Sequence, residues 1–184
     1  MALLTSYYVP GLHVEERAID VPLDWEGNTP GGAIKGETIR LFCRVVCAPE
    51  HVHDDLPLLV FLQGGPGGQC PRPLSPSSDG WIQEAIKHFR VVLPDQRGVG
   101  RSSRVDASTM KRMADDGVSV ERQAWYLKRF LADSIIRDFE HLRLTEFDAK
   151  PWASLGQSYG GFLTLTYLSL FPQGLIASLS LIHI

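Results

Sequence analysis

The hexapeptide Gly156-Gln157-Ser158-Tyr159-Gly160-Gly161 constrains this chain more than any other stretch. Residues 152–155 before it read as a short strand and residues 162–168 after it as a helix, so a Gly-x-Ser-x-Gly sequence occupies a strand-to-helix turn. Such a turn is sharp. Side chains two residues before and after the serine would collide with the crossing helix and strand, and glycine at 156 and 160 removes that collision. The serine at the apex is pushed into a strained conformation with its hydroxyl outward, at the positive end of the helix dipole and beside the Tyr159 N–H, which is free to bind an oxyanion. Chemistry at this point is acyl transfer, with Ser158 as candidate nucleophile. Gly-x-Ser-x-Gly also arises in plain turns, so other stretches have to decide.

Residues 58–62 form a short, continuous apolar run of the kind seen in a parallel strand buried on both faces, and it ends in Gln63-Gly64-Gly65-Pro66-Gly67-Gly68. That glycine loop can bring backbone N–H groups close to a ligand, and the Gly65 N–H is expected to act with that of Tyr159. A second buried strand, 89–94, runs into Asp95-Gln96-Arg97-Gly98-Val99-Gly100-Arg101-Ser102. There the carboxylate is expected to hold Arg97 and Arg101 in a locked loop, in preference to an anion site.

Residues 7–24, broken by Pro10-Gly11 and Pro22, and the alternating run 38–48 predict an antiparallel pair opening the sheet. Residues 69–80 read as loop, 81–88 as a short helix and 103–118 as polar and weakly patterned. From Ser119, a plausible N-cap, apolar residues at Ala124, Leu127, Leu131, Ile135, Phe139 and Leu142 predict one long amphipathic helix. It places Trp125 and Phe130 in packing and Glu140 and His141 at the surface. The elbow helix stops at 171–174 and a further strand begins at 175. Strand, helix and strand in this order give an α/β fold with a mostly parallel sheet.

Composition narrows the partners. With 44% hydrophobic and 21% charged residues over 184 positions, the expectation is one globular domain over 1–184. A net charge of −3 without a basic run argues against nucleic acid and anionic membrane surfaces and favours a peptide or a small neutral molecule. The N-terminus lacks a basic start and no apolar stretch is long enough for a bilayer. Cys43, Cys47 and Cys70 read as reduced and mostly buried, which points to the cytoplasm. His51-Val52-His53-Asp54-Asp55 has no further ligand at a metal-binding spacing and reads as a solvated turn, so no metal or cofactor is expected.

Three motifs now agree in order and spacing: Phe61 to Gly68, Asp95 to Ser102, and Gly156 to Gly161. Together they resemble the proline iminopeptidase family of α/β-hydrolase serine peptidases, from about residue 10 to about residue 178. Val9-Pro10-Gly11 and Val21-Pro22-Leu23-Asp24 are also similar to that family's first hairpin. The resemblance implies an α/β-hydrolase fold, Ser158 as nucleophile, and the Gly65 and Tyr159 N–H groups as the oxyanion hole. It further implies release of an N-terminal residue, typically proline, from a peptide or a small amide or ester through an acyl-enzyme without cofactor.

In this fold the chain order is serine, acid, histidine. The residues after Ser158 contain no Asp or Glu, and their single histidine, His183, follows the start of a strand and reads as coincidence. The acid and base of the triad are therefore expected outside this chain, which reads as an incomplete fold truncated before its cap and last strands. An esterase-like α/β hydrolase and a non-catalytic peptide-binding remnant are the alternatives. The last strand is expected to leave an open apolar edge, so the 184-residue chain should self-associate. Size-exclusion chromatography and thermal unfolding test this: a monomer with one cooperative melt would count against it.

Overall fold

The computed structural model of the chain describes residues 3–181. The alternating N-terminal segments form β1 (Leu3–Val9), β2 (Leu12–Pro22) and β3 (Thr38–Cys47), paired antiparallel in sequence order. Gly11 closes the first turn at a φ of 75°, a backbone that L side chains avoid. The remaining strands are β4 (Leu58–Leu62), β5 (Arg90–Asp95), β6 (Trp152–Gln157) and β7 (Leu175–Leu181), and the sheet runs β1-β2-β3-β5-β4-β6-β7. β5 joins β3 antiparallel, whereas β4 lies parallel to both β5 and β6, and β7 is parallel to β6. The sheet is thus an antiparallel N-terminal part joined to a parallel one.

Strand alternation distributes the core. Val60, Leu62 and Val92 point to one face, where Ile135, Ile136, Phe139, Leu142, Leu163 and Tyr167 cover them. Leu59, Phe61, Val91 and Leu93 point to the other, against Ile82 and Ile86. Every residue of β4 is buried because both faces are covered, which is why it reads as an unbroken apolar run. The helices are α1 (Gly80–Ala85), α2 (Ala107–Asp115), α3 (Val120–Leu127), α4 (Ala132–Glu146) and α5 (Tyr159–Leu170).

Four sequence expectations are corrected here. The single helix from Ser119 is two: Ser119 does cap α3, accepting the Arg122 N–H at 3.3 Å, but a 3-10 turn over Lys128–Phe130 and an extended Leu131 separate α3 from α4. The apolar spacing passes through the break unchanged and so conceals it. At the break the Arg129 carbonyl accepts from Arg97 Nη1 at 2.6 Å. Residues 103–118, read as polar and weakly patterned, contain α2, capped by Asp106 Oδ1, which accepts the Ser108 and Thr109 N–H groups at 2.9 and 3.1 Å.

Glu140 and His141 are buried, because α4 is covered on more than one side. His141 Nδ1 accepts the Gly31 N–H at 2.9 Å beside the Trp25 ring. Burial lowers the His141 pKa and so keeps that nitrogen free to accept. Glu140 accepts from Arg143 Nε at 2.9 Å and from the Tyr167 hydroxyl at 2.7 Å, and Trp152 Nε1 donates to that hydroxyl at 3.1 Å, tying α4 to α5 and β6.

The fourth correction concerns the charges after β5. Asp95 takes neither guanidinium; its carboxylate accepts the backbone N–H groups of Cys70 and Arg101, both at 2.9 Å. Arg101 pairs instead with Glu16, which also accepts from Arg44 Nε at 3.3 Å. Burial opposes ionisation of Glu16, but its bonds to Arg101 and the charges of Arg101 and Arg44 outweigh that and hold the carboxyl below its usual value.

Arg97 is wholly buried against Asp138, Nε to Oδ2 at 2.7 Å, with Nη2 on Oδ1. Its other N–H groups go to the carbonyls of Pro22, Leu23 and Arg129 at 3.0, 2.9 and 2.6 Å, and Trp25 Nε1 donates to Asp138 Oδ1 at 3.0 Å. All five guanidinium donors are used. Removing one partner strands a buried charge, so Arg97→Ala or Asp138→Ala should lower unfolding stability by about 3–5 kcal/mol, read as a fall in urea midpoint. A loss below about 1 kcal/mol would place the pair among surface-type bridges.

Candidate active site

The strand order reverses direction about β4, whose neighbours β5 and β6 are reached by crossovers on either side. The loops after β4, β5 and β6 therefore meet at the carboxyl end of the sheet, where ligands bind in open α/β folds. β6 ends at Gln157 and α5 begins at Tyr159, so Ser158 makes the whole turn, at φ 53° and ψ −117°. A non-glycine residue there carries about 1–3 kcal/mol of strain, and the surrounding contacts impose it. A β-carbon on Gly156 would lie 2.3 Å from the Gly160 carbonyl oxygen and 2.4 Å from Thr164 Oγ1; one on Gly160 would lie 1.7 Å from the Leu62 carbonyl oxygen. Thr164 Oγ1 donates to the Gly160 oxygen at 3.0 Å, and the Ser158 N–H donates to the Leu181 oxygen at 3.2 Å. The Ser158 side chain is left exposed.

The glycine loop after β4 lies directly against this turn. A β-carbon on Gly64 would come within 3.2 Å of Ser158 Cβ and 3.0 Å of the Gln157 oxygen. Gly65 has a φ of 123°. The loop is braced by Gln63, whose Oε1 accepts the Gly64 N–H at 2.7 Å and whose Nε2 donates to the Gln69 oxygen at 2.9 Å. Gln96 Nε2 donates to the Gln63 oxygen at 2.9 Å, so the β5 loop supports the β4 loop. Neither the Gly65 N–H nor the Tyr159 N–H, the first of α5, has an acceptor among the described residues. An exposed hydroxyl at a helix N-terminus thus lies against the glycine loop, an arrangement suited to nucleophilic attack.

Several other ionisable groups are engaged elsewhere. His13 Nε2 bonds to Ser6 Oγ at 2.8 Å within the N-terminal hairpin, with the Cys47 thiol on its other nitrogen, and burial lowers its pKa. His51 pairs with Asp54 at 2.7 Å in the exposed turn expected for it, and His88 faces Glu84. None of the described histidines bonds to Ser158; His183 lies outside the described residues. All three cysteines are free and buried; burial pushes the Cys43 thiol up to about 12 and raises Cys47 and Cys70, which disfavours thiolate chemistry. Among the described residues no group of three His, Cys, Asp or Glu could hold a metal, and no helix is long and apolar enough to cross a membrane.

This sheet order, with a Gly-x-Ser-x-Gly turn at the end of β6, agrees with a sequence-family match: the family described as alpha/beta hydrolase fold matches residues 57–183. The chain belongs to the α/β-hydrolase fold family. It is 44% identical over 169 residues to a proline iminopeptidase of Aeromonas sobria, covering 92% of this chain and 37% of that protein. A proline iminopeptidase of Aspergillus aculeatus is 36% identical over 179 residues, covering 93% of this chain and 37% of its own length. The chain thus spans 37% of the length of these curated relatives. Among solved structures, an α/β hydrolase from Novosphingobium aromaticivorans superposes with a TM-score of 0.54 at 16% identity, covering 93% of this chain and 44% of that one. That last likeness speaks for the fold alone.

Two supports of this hydrolase-fold site escaped the sequence reading. Gly64 is the glycine that touches Ser158, and nothing in a run of glycines ranks one above the next. Asp138 was legible: it sits among Ile135, Phe139 and Leu142 on the apolar stripe, where an unpartnered carboxylate is costly. The strain at Ser158 has a measurable consequence. Ser158→Gly relieves about 1–3 kcal/mol of backbone strain against about 0.4–1 kcal/mol of added unfolded-state entropy, so the melting temperature should rise. Gly160→Ala should lower it by far more, and an unchanged melt in both would mean the turn is not under this constraint.

Proposed function

We propose that this chain carries the nucleophile of a serine aminopeptidase that releases an N-terminal residue, preferentially proline, from peptides. The observation that carries the reading is Ser158 held exposed at φ 53° against the Gly64-Gly65 loop. The 44% identity to a proline iminopeptidase supports the substrate class. In this reading Ser158 Oγ attacks the carbonyl of the first peptide bond, and the developing oxyanion takes hydrogen bonds from the Gly65 and Tyr159 N–H groups. Each donor of this kind contributes about 3 kcal/mol to the transition state. The carbonyl then collapses to an acyl-enzyme, expelling the rest of the peptide as an amine that needs a proton, and water releases the free amino acid.

A base must accept the Ser158 proton, and a carboxylate must orient that base. Ser158 has neither among the described residues, and the chain spans 37% of the length of its curated relatives, so in this reading both are supplied by the whole protein. The activity is accordingly assigned to the protein translated from the complete reading frame. That protein should hydrolyse a proline amide, and Ser158→Ala should lower kcat on the order of 10⁶-fold. Undiminished turnover by the alanine variant would remove Ser158 from the mechanism. Hydrolysis of simple esters with no release of proline would move the protein to the esterases.

A further inference from the structure

Gly64 is the residue of the β4 loop that packs on Ser158, and the peptide unit leading into it is held at both of its polar atoms. Its N–H, on Gly64, donates to Gln63 Oε1 at 2.7 Å; its carbonyl, on Gln63, accepts from Gln96 Nε2 at 2.9 Å. Gln63 Nε2 in turn donates to the Gln69 oxygen at 2.9 Å and closes the loop on itself. Each backbone partner offers a single role, an N–H to donate or a carbonyl to accept, so the network fixes the orientation of both side-chain amides.

Gln96 is well placed to hold that carbonyl still. It is buried, and the residues on either side of it are anchored: Asp95 by the Cys70 and Arg101 N–H groups, Arg97 by Asp138 and three backbone carbonyls. The backbone from which its amide extends is therefore fixed. The loop it supports has no such stiffness of its own, because Gly64, Gly65, Gly67 and Gly68 lack the side chains that narrow backbone torsions, and Gly65 sits at a φ of 123°. A peptide unit between glycines turns freely unless hydrogen bonds stop it. The Gly65 N–H belongs to the unit directly after the one that Gln96 and Gln63 hold. The Gln63 carbonyl also faces the elbow helix, since a β-carbon on Gly160 would lie 3.3 Å from its oxygen. One buried amide from the β5 loop thus meets the β4 loop where it touches the elbow.

We propose that Gln96 is a positioning residue for the reaction of Ser158: by holding the Gln63 carbonyl, it sets the direction in which the Gly65 N–H meets the developing oxyanion. This rests on the acyl-transfer reading above. A preorganised donor needs no rearrangement as charge appears, and outright loss of one such donor costs about 10²- to 10³-fold in kcat. Gln96 touches neither substrate nor reacting atoms. Its removal leaves the N–H present but free to turn away, so the expected loss is smaller, roughly 10- to 100-fold in kcat with KM kept within about twofold, as for an interaction made in the transition state.

The test uses the protein from the complete reading frame, with a proline amide as probe. Gln96→Met, of similar length but without a donor, should lower kcat by that factor at every pH. Gln96→Glu should do so only when ionised: protonated, its hydroxyl can donate to the Gln63 carbonyl, whereas the carboxylate has no proton to give. The ratio of variant to wild-type kcat should therefore approach unity at the acid end of the profile and fall as pH rises. A merely structural role would lower the melting temperature without that pH-dependent ratio, and melts at both ends of the range read folding separately. Wild-type kcat in Gln96→Met, a loss that appears in KM alone, or a Gln96→Glu ratio that does not change with pH would overturn the proposal. Phosphonylation of Ser158 by a fluorophosphonate separates it from the substrate assignment, since Oγ displaces fluoride at phosphorus whatever peptide the enzyme prefers. Slower labelling of Gln96→Met supports the positioning role even if proline is never released. Equal labelling rates in wild type and variant, or no labelling of the wild type, overturn it.

Discussion

The structure depends on how closely α5 crosses β4. The Gly160 backbone lies so near the Leu62 carbonyl that even a methyl group cannot be placed between them, and Gly156 is pressed in the same way by Gly160 and Thr164. With no side chain separating helix from strand, the chain has one residue in which to reverse from β6 into α5, and Ser158 takes the left-handed conformation that this demands. The same approach carries the β4 loop against the turn. The proximity of Gly64 to Ser158 is therefore a packing consequence, set by the depth at which α5 seats on the sheet.

A second constraint acts from beneath that loop layer. Asp95 at the end of β5 holds backbone N–H groups on two separate segments, at Cys70 and Arg101, and Gly100 leaves room for it: a β-carbon there would fall 2.2 Å from Asp95 Oδ2. Arg97, two residues on, reaches inward to Asp138 on α4 and to three carbonyls on two other segments. Burying such an ion pair gives little net stability against an apolar core of the same volume. What it does give is a fixed geometry, because five donors with assigned acceptors admit one placement of the β5 loop, of the Pro22-Leu23 segment and of the α3–α4 break.

The elbow helix itself is apolar on more than its inner side. Leu163 and Tyr167 are buried, while Phe162, Leu165 and Leu168 are exposed, and Ile176, Leu179 and Leu181 of the neighbouring β7 are exposed as well. β7 pairs with β6 along one edge among the described residues. This is a contiguous apolar surface on an open sheet edge, the arrangement that favours association when nothing covers it.

Much of this was written locally in the chain. Continuous apolar runs marked β4 and β5, alternation marked the N-terminal strands, and Gly-x-Ser-x-Gly between a strand and a helix marked the turn, because each pattern reflects a requirement met within a few residues. Interactions between distant residues were less legible. That Arg97 would choose Asp138 over Asp95, that Glu140 and His141 would be covered, and that the helix after Ser119 would be broken all depend on which segments the fold brings alongside. Ser158, Gly65 and Tyr159 were nameable from the sequence as candidates. Only the tertiary structure decided that the glycine loop packs against the turn, because that contact joins residues nearly a hundred positions apart and is made by the crossing of α5 over β4.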